Sequence, residues 1–339
     1  MQLNEIWFLI VGFLFIGYFV LDGFDFGVGM SLPFLGKDDT DRRVLINTIG
    51  PVWDLNETWV IVAGASLFAA FPEWYASLFS GFYLPLLLIL LALIARGVAF
   101  EYRGKGHTIG ANVEKWKATF DWMIVIGSAL PALLWGVAFA NIVQGVPLNA
   151  GHVYTGTLFT LLNPYGLLGG FVTLSLFWTH GLVFITLKTD GDIKERARAL
   201  ATKVGIGATV LAAAFLVWTL VAHFSVLGFI LSALAAVSLI AGLVANYFKR
   251  EGIAFSLLVL TVITAVGSLF AALFPNVFPS STDAAFSLTI ENASSSQYTL
   301  TVMTWVAVIM IPLVLAYQGW TYWVFRNRVS RKSIPVGSH

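Results

Sequence analysis

Nine apolar runs, each of about 20 residues or more, divide this sequence and constrain its fold more than any other feature. A helix needs about 20 apolar residues to cross a hydrocarbon core roughly 30 Å thick. Charged residues make up only 11% of the chain, against about a quarter in soluble proteins. The sequence therefore predicts an all-α polytopic membrane protein. The runs lie near 6–30, 52–71, 75–100, 118–144, 162–187, 198–224, 227–247, 252–275 and 299–325, and the second begins with polar residues.

The basic residues support this count independently. All 19 Lys and Arg lie around the breaks that follow the first, third, fifth, seventh and ninth runs. The N-terminus and the segments after the second, fourth, sixth and eighth runs hold none. Short cytoplasmic loops collect Lys and Arg. We therefore expect nine transmembrane helices with the N-terminus outside and the C-terminus in the cytoplasm. Neither a basic stretch before the first run nor a cleavage site after it is present, which favours a retained helix over a signal peptide.

Several classes of function are excluded by composition. A net charge of +1 gives no basic bias toward nucleic acid. The absence of cysteine excludes disulfide frameworks, thiolate zinc sites, cysteine-bound iron–sulfur clusters and covalent haem attachment. His180 lies within the fifth run and His223 ends the sixth, and no second metal ligand faces either of them at a recognisable spacing. Both histidines are more typical of structural residues.

Acidic residues inside the first two runs are the main candidates for function. Asp22 and Asp25 are three residues apart and share a helix face near the inner end of the first run. Asp54 and Glu57 share a face at the start of the second, and Arg96 lies near the inner end of the third. Ionisable residues within a membrane are costly and mark proton relays. These acids therefore suggest a proton path from the cytoplasm.

A structural interpretation of the same residues stays open. The acids can cap helix ends, pair with Arg96 or one another, and gain from the helix dipole in a first turn. For Asp22 and Asp54 the two interpretations carry about equal weight, because an ionisable residue within a membrane is by default a candidate for function. For Glu57, Glu101 and Asp121 the structural role is favoured, because each is placed to reach the headgroups.

Two sequence blocks are familiar: LDGFDFGVG at 21–29 and WDLNETW at 53–59. With them the chain resembles subunit II of the cytochrome bd-type quinol oxidases. The similarity continues in order through most of the chain, so it is specific to that subunit. Its further blocks are FSGFY at 79–83, GVAF at 136–139, LNPYGLL at 162–168, FPSST at 278–282 and MTWVAV at 303–308.

The resemblance implies a fold and a set of partners. It implies a first four-helix bundle in 1–144, a second in 162–275, a peripheral ninth helix in 299–325 and a cytoplasmic tail in 326–339. The complex would oxidise quinol and reduce oxygen to water in the bacterial cytoplasmic membrane. Haem b, haem d and the quinol-oxidising loop would belong to subunit I, with which this chain would form a heterodimer. Small accessory membrane subunits and bound lipid or quinol are further possible partners.

The resemblance also implies a cytoplasmic proton route through this subunit. Its residues match Asp54, Asp22 and Asp25 here. We add Glu57 to this path, with Arg96 and Glu101 as supporting charges, and we assign no catalytic, cofactor-binding or metal-binding residue to this chain. Neither ubiquinol nor menaquinol is favoured by the sequence.

Two other functions compete with an oxidase subunit. A proton-coupled secondary transporter would also be helical with buried acids, and a purely structural membrane subunit would carry no protons. Against a transporter, the acids gather toward one end of the helices rather than the midplane. In addition, no pair of interrupted helices occupies corresponding halves of the sequence.

Overall fold

The structure, a computed structural model, describes residues 2–110 and 112–334 and consists mainly of α-helices. In chain order these are α1 Leu3–Leu35, α2 Asp39–Ile49, α3 Trp53–Ala70, α4 Pro72–Gly81, α5 Tyr83–Tyr102, α6 Val113–Gln144, α7 Leu158–Leu161, α8 Pro164–Lys188, α9 Gly191–Ala222, α10 Val226–Tyr247, α11 Glu251–Leu273 and α12 Gln297–Val324. Short 3-10 helices cover Arg103–Ile109, Ala284–Phe286 and Arg331–Ser333. The last five residues of the expected tail, 335–339, lie outside the described part.

One small sheet interrupts this helical architecture. Strands β1, Asn276–Phe278, and β2, Leu288–Thr289, pair antiparallel, with Asn276 opposite Thr289 and Phe278 opposite Leu288. They belong to the long connection between α11 and α12. The sheet gives that connection a regular hydrogen-bonded structure.

Eight of the described helices are long and apolar enough to cross a membrane. The expected all-α polytopic membrane protein is thereby confirmed. The eight are α1, α5 with the 3-10 turn after it, α6, and α8 to α12. The predicted second run corresponds to α3, an 18-residue helix that carries Asp54, Asn56 and Glu57 in its first turns and is not one of the eight.

The third predicted run, 75–100, is wrong as one continuous helix. The chain forms α4 and α5 there, and Phe82 breaks the helix between them. Pro85 explains why the second helix starts afresh. A proline has no backbone N–H and is tolerated in a first turn, where that N–H needs no partner within the helix.

The first helix lies at the centre of the molecule and packs against α3, α6, α8 and α11. Its backbone meets that of α8 directly at Gly27 and Gly181. A Cβ atom built on Gly27 would lie 2.1 Å from the carbonyl oxygen of Phe177, so no side chain fits there. Small residues allow such close helix packing in lipid. This contact holds α1 in one position relative to α8.

Ion pairs join the loops at one end of the molecule. Lys37, after α1, binds Asp192, at the start of α9, with 3.1 Å between Nζ and Oδ2. Arg42 in α2 binds Asp121 in α6 at 3.1 Å. The segment after α12 joins the same set through Arg331, which pairs with Asp38 and Asp41 of the α1–α2 region. The basic segments that follow the first, third, fifth and ninth predicted runs therefore share one end.

The N-terminus and three of the other connections meet at the opposite end. Asn4 donates a hydrogen bond to the carbonyl oxygen of Ile290 at 3.2 Å, and the hydroxyl of Ser295 donates to that of Ala69 at 2.6 Å. Val146 donates its backbone N–H to the carbonyl oxygen of Pro279 at 3.1 Å. The N-terminus and the connections after α3, α6 and α11 thus lie together. This separation into two ends agrees with the alternation of Lys and Arg along the sequence.

Docking of the C-terminal segment is expected to weaken in acid. Hydrogen bonds from Arg331 lower the pKa of Asp38 below its usual value. A carboxylate with a lowered pKa stabilises the folded state above the ordinary Asp pKa of about 4 and loses this contribution as the pH falls below it. Hydrogen exchange at the Val329 amide, which bonds the carbonyl oxygen of Lys188, reports the docking. Its protection, corrected for intrinsic exchange, should be retained down to about pH 5 and fall as the pH drops through about 4 and below.

A variant separates this ion pair from general acid effects. Arg331→Gln should reduce protection of Val329 by about two- to fivefold at neutral pH, the range of an exposed ion pair, and flatten its pH response. Lys332→Gln removes a neighbouring exposed charge and should leave protection unchanged. Equal behaviour of the two variants would show that Arg331 does not hold the segment.

Candidate functional site

Four ionisable side chains form a buried charge cluster: Asp22 and Asp25 from α1, Glu57 from α3 and Arg96 from α5. Nη2 of Arg96 donates to Oδ1 of Asp22 at 2.9 Å, and both side chains are fully buried. Glu57 interacts electrostatically with both members of this pair. The spacing of three residues on α1 puts both aspartates on the face that meets α3 and α5.

The guanidinium of Arg96 rests on aromatic rings of its neighbours. Its Cζ lies 4.6 Å from the ring centroid of Phe26 and 5.6 Å from that of Phe100. A cation over an aromatic face is attracted by the ring quadrupole, and the attraction grows when water is excluded. These contacts hold the guanidinium at the depth of Asp22.

The second aspartate is joined to the last helix through Asn56 on α3. Nδ2 of Asn56 donates to Oδ2 of Asp25 at 2.8 Å. Oδ1 of Asn56 in turn accepts from Nε2 of Gln318 at 2.9 Å and from the hydroxyl of Tyr322 at 2.8 Å. One asparagine therefore links three helices, and α12 is fixed to the bundle by hydrogen bonds at the level of the cluster.

Several polar atoms of the cluster have no hydrogen-bond partner among the described residues. They are Oδ2 of Asp22, Oδ1 of Asp25, Oε2 of Glu57, and Nε and Nη1 of Arg96. Buried polar atoms in native proteins are nearly always paired with protein or ordered water, so these atoms call for partners beyond the described residues, such as ordered water. Three carboxylates also face a single guanidinium, so the pair of Asp22 and Arg96 alone does not neutralise the cluster.

Asp54 and Glu101 lie outside the cluster. Asp54 is exposed in the first turn of α3. Successive residues of a helix are about 100° apart, so Asp54 points away from α1 when Asn56, two positions later, points toward it. Glu101 is exposed at the end of α5. Of the six residues expected in the proton path or as supporting charges, the structure brings together Asp22, Asp25, Glu57 and Arg96.

Asp121, for which a structural role is favoured, is engaged in ion pairs. It accepts from Nε of Arg103 at 2.6 Å and from Nη1 of Arg42 at 3.1 Å. These contacts join α6 to the segments after α1 and α5. The geometry matches the structural interpretation.

The sequence interpretation missed three residues of the site: Asn56, Gln318 and Tyr322. Asn56 belongs to the WDLNETW block but carries no charge, so a search for ionisable residues within the membrane does not identify it. Gln318 and Tyr322 are four residues apart on one face of α12, and a glutamine within an apolar run was a signal. A polar residue in a transmembrane helix that faces the protein interior is a candidate for function by the same rule as a charge.

The two histidines of the predicted apolar runs do not line the apolar cavity of the helix bundle. His180 uses Nε2 in a contact of 3.1 Å with the carbonyl oxygen of Val20, and its ring stacks on Phe255 at 5.0 Å. His223 follows α9 as its C-cap. An apolar cavity of about 130 Å³ among α6, α8, α9, α10 and α11 is lined by no His, Met or carboxylate. No group of three metal-ligating side chains occurs among the described residues.

Comparison with known proteins gives one consistent family. The profile of the family "Cytochrome bd terminal oxidase subunit II" matches residues 3–325. Cytochrome bd ubiquinol oxidase subunit 2 of Bacillus subtilis is 43% identical over 336 residues, which cover 98% of each chain. Cytochrome bd-I ubiquinol oxidase subunit 2 of Escherichia coli K12 is 39% identical over 377 aligned positions, which cover 99% of this chain and 98% of the other.

A solved structure shares the fold. A chain from the structure of bd oxidase from Geobacillus thermodenitrificans superposes with a TM-score of 0.78 and covers 96% of this chain and 99% of its own length. The two sequences are 15% identical, so this match concerns the fold alone.

Proposed function

Because this chain belongs to the cytochrome bd terminal oxidase subunit II family, we propose that it acts with a subunit I partner to oxidise quinol and reduce oxygen to water. It is a multi-pass protein of the bacterial cytoplasmic membrane and part of an oxidoreductase complex, and its family implies haem and quinol in that complex. The family match over nearly the whole chain carries the proposal.

Purification of the chain from its native membrane tests this proposal. We expect a second membrane chain to co-purify with it, and the preparation to show haem absorption and consume oxygen when quinol is supplied. A colourless single-chain preparation that exchanges a substrate across vesicles would contradict the proposal and favour a proton-coupled transporter.

We assign the haems, haem b and haem d, to the partner subunit. The observations on His180 support this division, because its imidazole is enclosed by Phe255 and the carbonyl oxygen of Val20. The haems supply the electron transfer and oxygen chemistry when bound. The residues of this chain would position the partner and handle protons.

The partner would cover the outer face of α3. This helix carries the exposed carboxylate of Asp54 at one end, and Ile61 and Phe68 along the same helix are 66% and 59% exposed. A Cβ built on Gly64 meets no atom within 4 Å, so a neighbouring helix has room to approach closely. Since a carboxylate against lipid is costly, a protein surface is the better neighbour for this face.

The buried charge cluster would carry protons toward the partner. Oxygen reduction consumes protons, which must reach a buried site without opening a leak. With Asp22 paired to Arg96, Asp25 and Glu57 remain as carboxylates that can take up and release protons, and their unpaired oxygens are places where ordered water can bind. Glu57 also interacts with Asp54, which leads to the outer face of α3. A quinol oxidised at the outer side of the membrane would release its protons on that side. Charge would then be separated across the membrane without a proton pump.

We further propose nine membrane spans, with α3 as the second and α12 as the peripheral ninth. The first bundle would consist of α1, α3, α5 and α6, and the second of α8 to α11. The end with the Lys and Arg ion pairs would face the cytoplasm, and the N-terminus would lie outside. The meeting of alternate loops at opposite ends supports this topology.

A further inference from the structure

A cavity of about 980 Å³ lies at the basic end of the molecule, where the α2–α3 connection, the ends of α8 and α12 and the C-terminal segment meet. We propose that this cavity binds an anionic phospholipid, with Lys188 and Arg326 contacting its phosphate. The proposal rests on neither the proton path nor the haems, although Tyr322, which donates to Asn56, also lines this cavity.

The charges that line the cavity are all positive: Lys188, Arg326 and Arg328, with no acidic residue in the lining. Arg328 is neutralised by Asp190, at 2.7 Å between Nη1 and Oδ1. The other two have no carboxylate within 4.0 Å among the described residues. Two positive charges therefore remain on the cavity wall.

The present partners of both cations are neutral. The ammonium of Lys188 donates to the carbonyl oxygens of Phe325 and Asn327, the latter at 3.1 Å. The guanidinium of Arg326 donates to the carbonyl oxygen of Trp323 at 2.7 Å and lies 4.6 Å from the centroid of its ring. An ammonium has three donors and a guanidinium five, so both retain donors for phosphate oxygens. Charge-assisted hydrogen bonds to phosphate are the stronger kind.

The rest of the lining combines polar residues such as Asn47 and Thr48 with apolar side chains, and the apolar part matches a lipid rather than a free anion. Phe184 and Leu187 of α8, Phe255 of α11 and Ile334 of the C-terminal segment face the cavity. A soluble phosphate ion would gain nothing from these side chains, but the first methylenes of acyl chains would be removed from water against them.

The position of the cavity also fits a lipid headgroup. It borders the last turn of α12, where Trp320 and Trp323 are 58% and 61% exposed. Exposed tryptophans at the end of a membrane helix mark the level of the headgroups. The occupant is therefore a membrane lipid that inserts its headgroup between α12, α8 and the C-terminal segment.

Native mass spectrometry of the purified complex tests this site. The complex is reconstituted in nanodiscs of phosphatidylcholine that contain a minor fraction of phosphatidylglycerol, and the lipid retained after release is identified. We expect retention of phosphatidylglycerol over phosphatidylcholine. The double variant Lys188→Gln/Arg326→Gln should weaken phosphatidylglycerol binding about 30-fold, the effect of two juxtamembrane charges.

Matched variants complete the test. Lys105→Gln/Lys115→Gln removes two exposed charges, one in the 3-10 helix after α5 and one in the first turn of α6, and should retain wild-type binding. The charge-preserving Lys188→Arg/Arg326→Lys should do the same. Should the double neutral variant fail to assemble, the single variants Lys188→Gln and Arg326→Gln are each expected to weaken binding about fivefold. Unchanged binding in the variants, equal retention of phosphatidylcholine, or displacement of the lipid by millimolar inorganic phosphate would each overturn the proposal.

Discussion

Replacing Arg96 with methionine is expected to destabilise the assembled protein by about 3–5 kcal/mol, the usual cost of breaking a buried ion pair from one side. Asp22 would stay fully buried without its counter-ion, and methionine supplies neither charge nor donor at a similar length. The loss is measured as the temperature at which the purified complex loses its haem absorption, together with its yield from the membrane.

Two comparisons make this expectation specific to the pair. Arg42→Met breaks a half-exposed ion pair whose partner, Asp121, keeps its contact with Arg103, and should cost no more than about 1 kcal/mol. Asp22→Asn combined with Arg96→Met removes both charges and should recover most of the stability lost by the single variant. Equal stability of Arg96→Met and Arg42→Met would contradict the buried pairing.

Asp25→Asn is expected to slow oxygen consumption by about 100-fold, within the range of losses when a positioned proton carrier is removed. Asparagine has the shape of aspartate and can still accept the hydrogen bond from Asn56, so the packing of α1, α3 and α12 is retained. What is lost is a group that takes up and releases protons. Oxygen uptake with excess quinol gives the rate, and the absorption spectrum gives the haem content.

Asp121→Asn serves as the matched control, because it removes a buried carboxylate outside the cluster. It should retain nearly normal turnover in the fraction that assembles. Normal haem content and normal reduction of the haems by quinol in Asp25→Asn would place the defect after electron entry. Wild-type oxygen uptake in Asp25→Asn would remove the cluster from the proton path, and loss of haem absorption would assign Asp25 to assembly.

Hydropathy accounts for most of the fold, because the length of an apolar run is a property of the chain alone. It predicts α1, α6 and α8 to α12 from runs that also appear in the structure as helices. It fails at Phe82, where the break between α4 and α5 leaves the run apolar on both sides. Apolar composition alone does not indicate where one helix ends and the next begins when both helices are apolar.

The site was predictable only in part. The aspartates of α1 were recognisable because a carboxylate in a membrane run is costly. Their partners depend on the rotation of other helices about their axes, which sequence spacing within one helix does not define. So Asp54 was expected in the path but points outward, while its neighbour Asn56 supplies the contact to Asp25. Gln318 and Tyr322 reach the cluster from the far end of the chain, and no local pattern connects them to Asn56.

The separation in sequence of the cluster's members has a consequence for biosynthesis. Asn56 follows Asp25 by 31 residues, and Arg96 follows Asp22 by 74. A chain made from its N-terminus therefore inserts α1 with two carboxylates before the guanidinium that neutralises one of them exists. Gln318 comes 262 residues after Asn56, so the last hydrogen bonds of the site form only when α12 has been inserted. A chain that stops before α12 therefore lacks the hydrogen bonds by which Gln318 and Tyr322 complete the partners of Asn56.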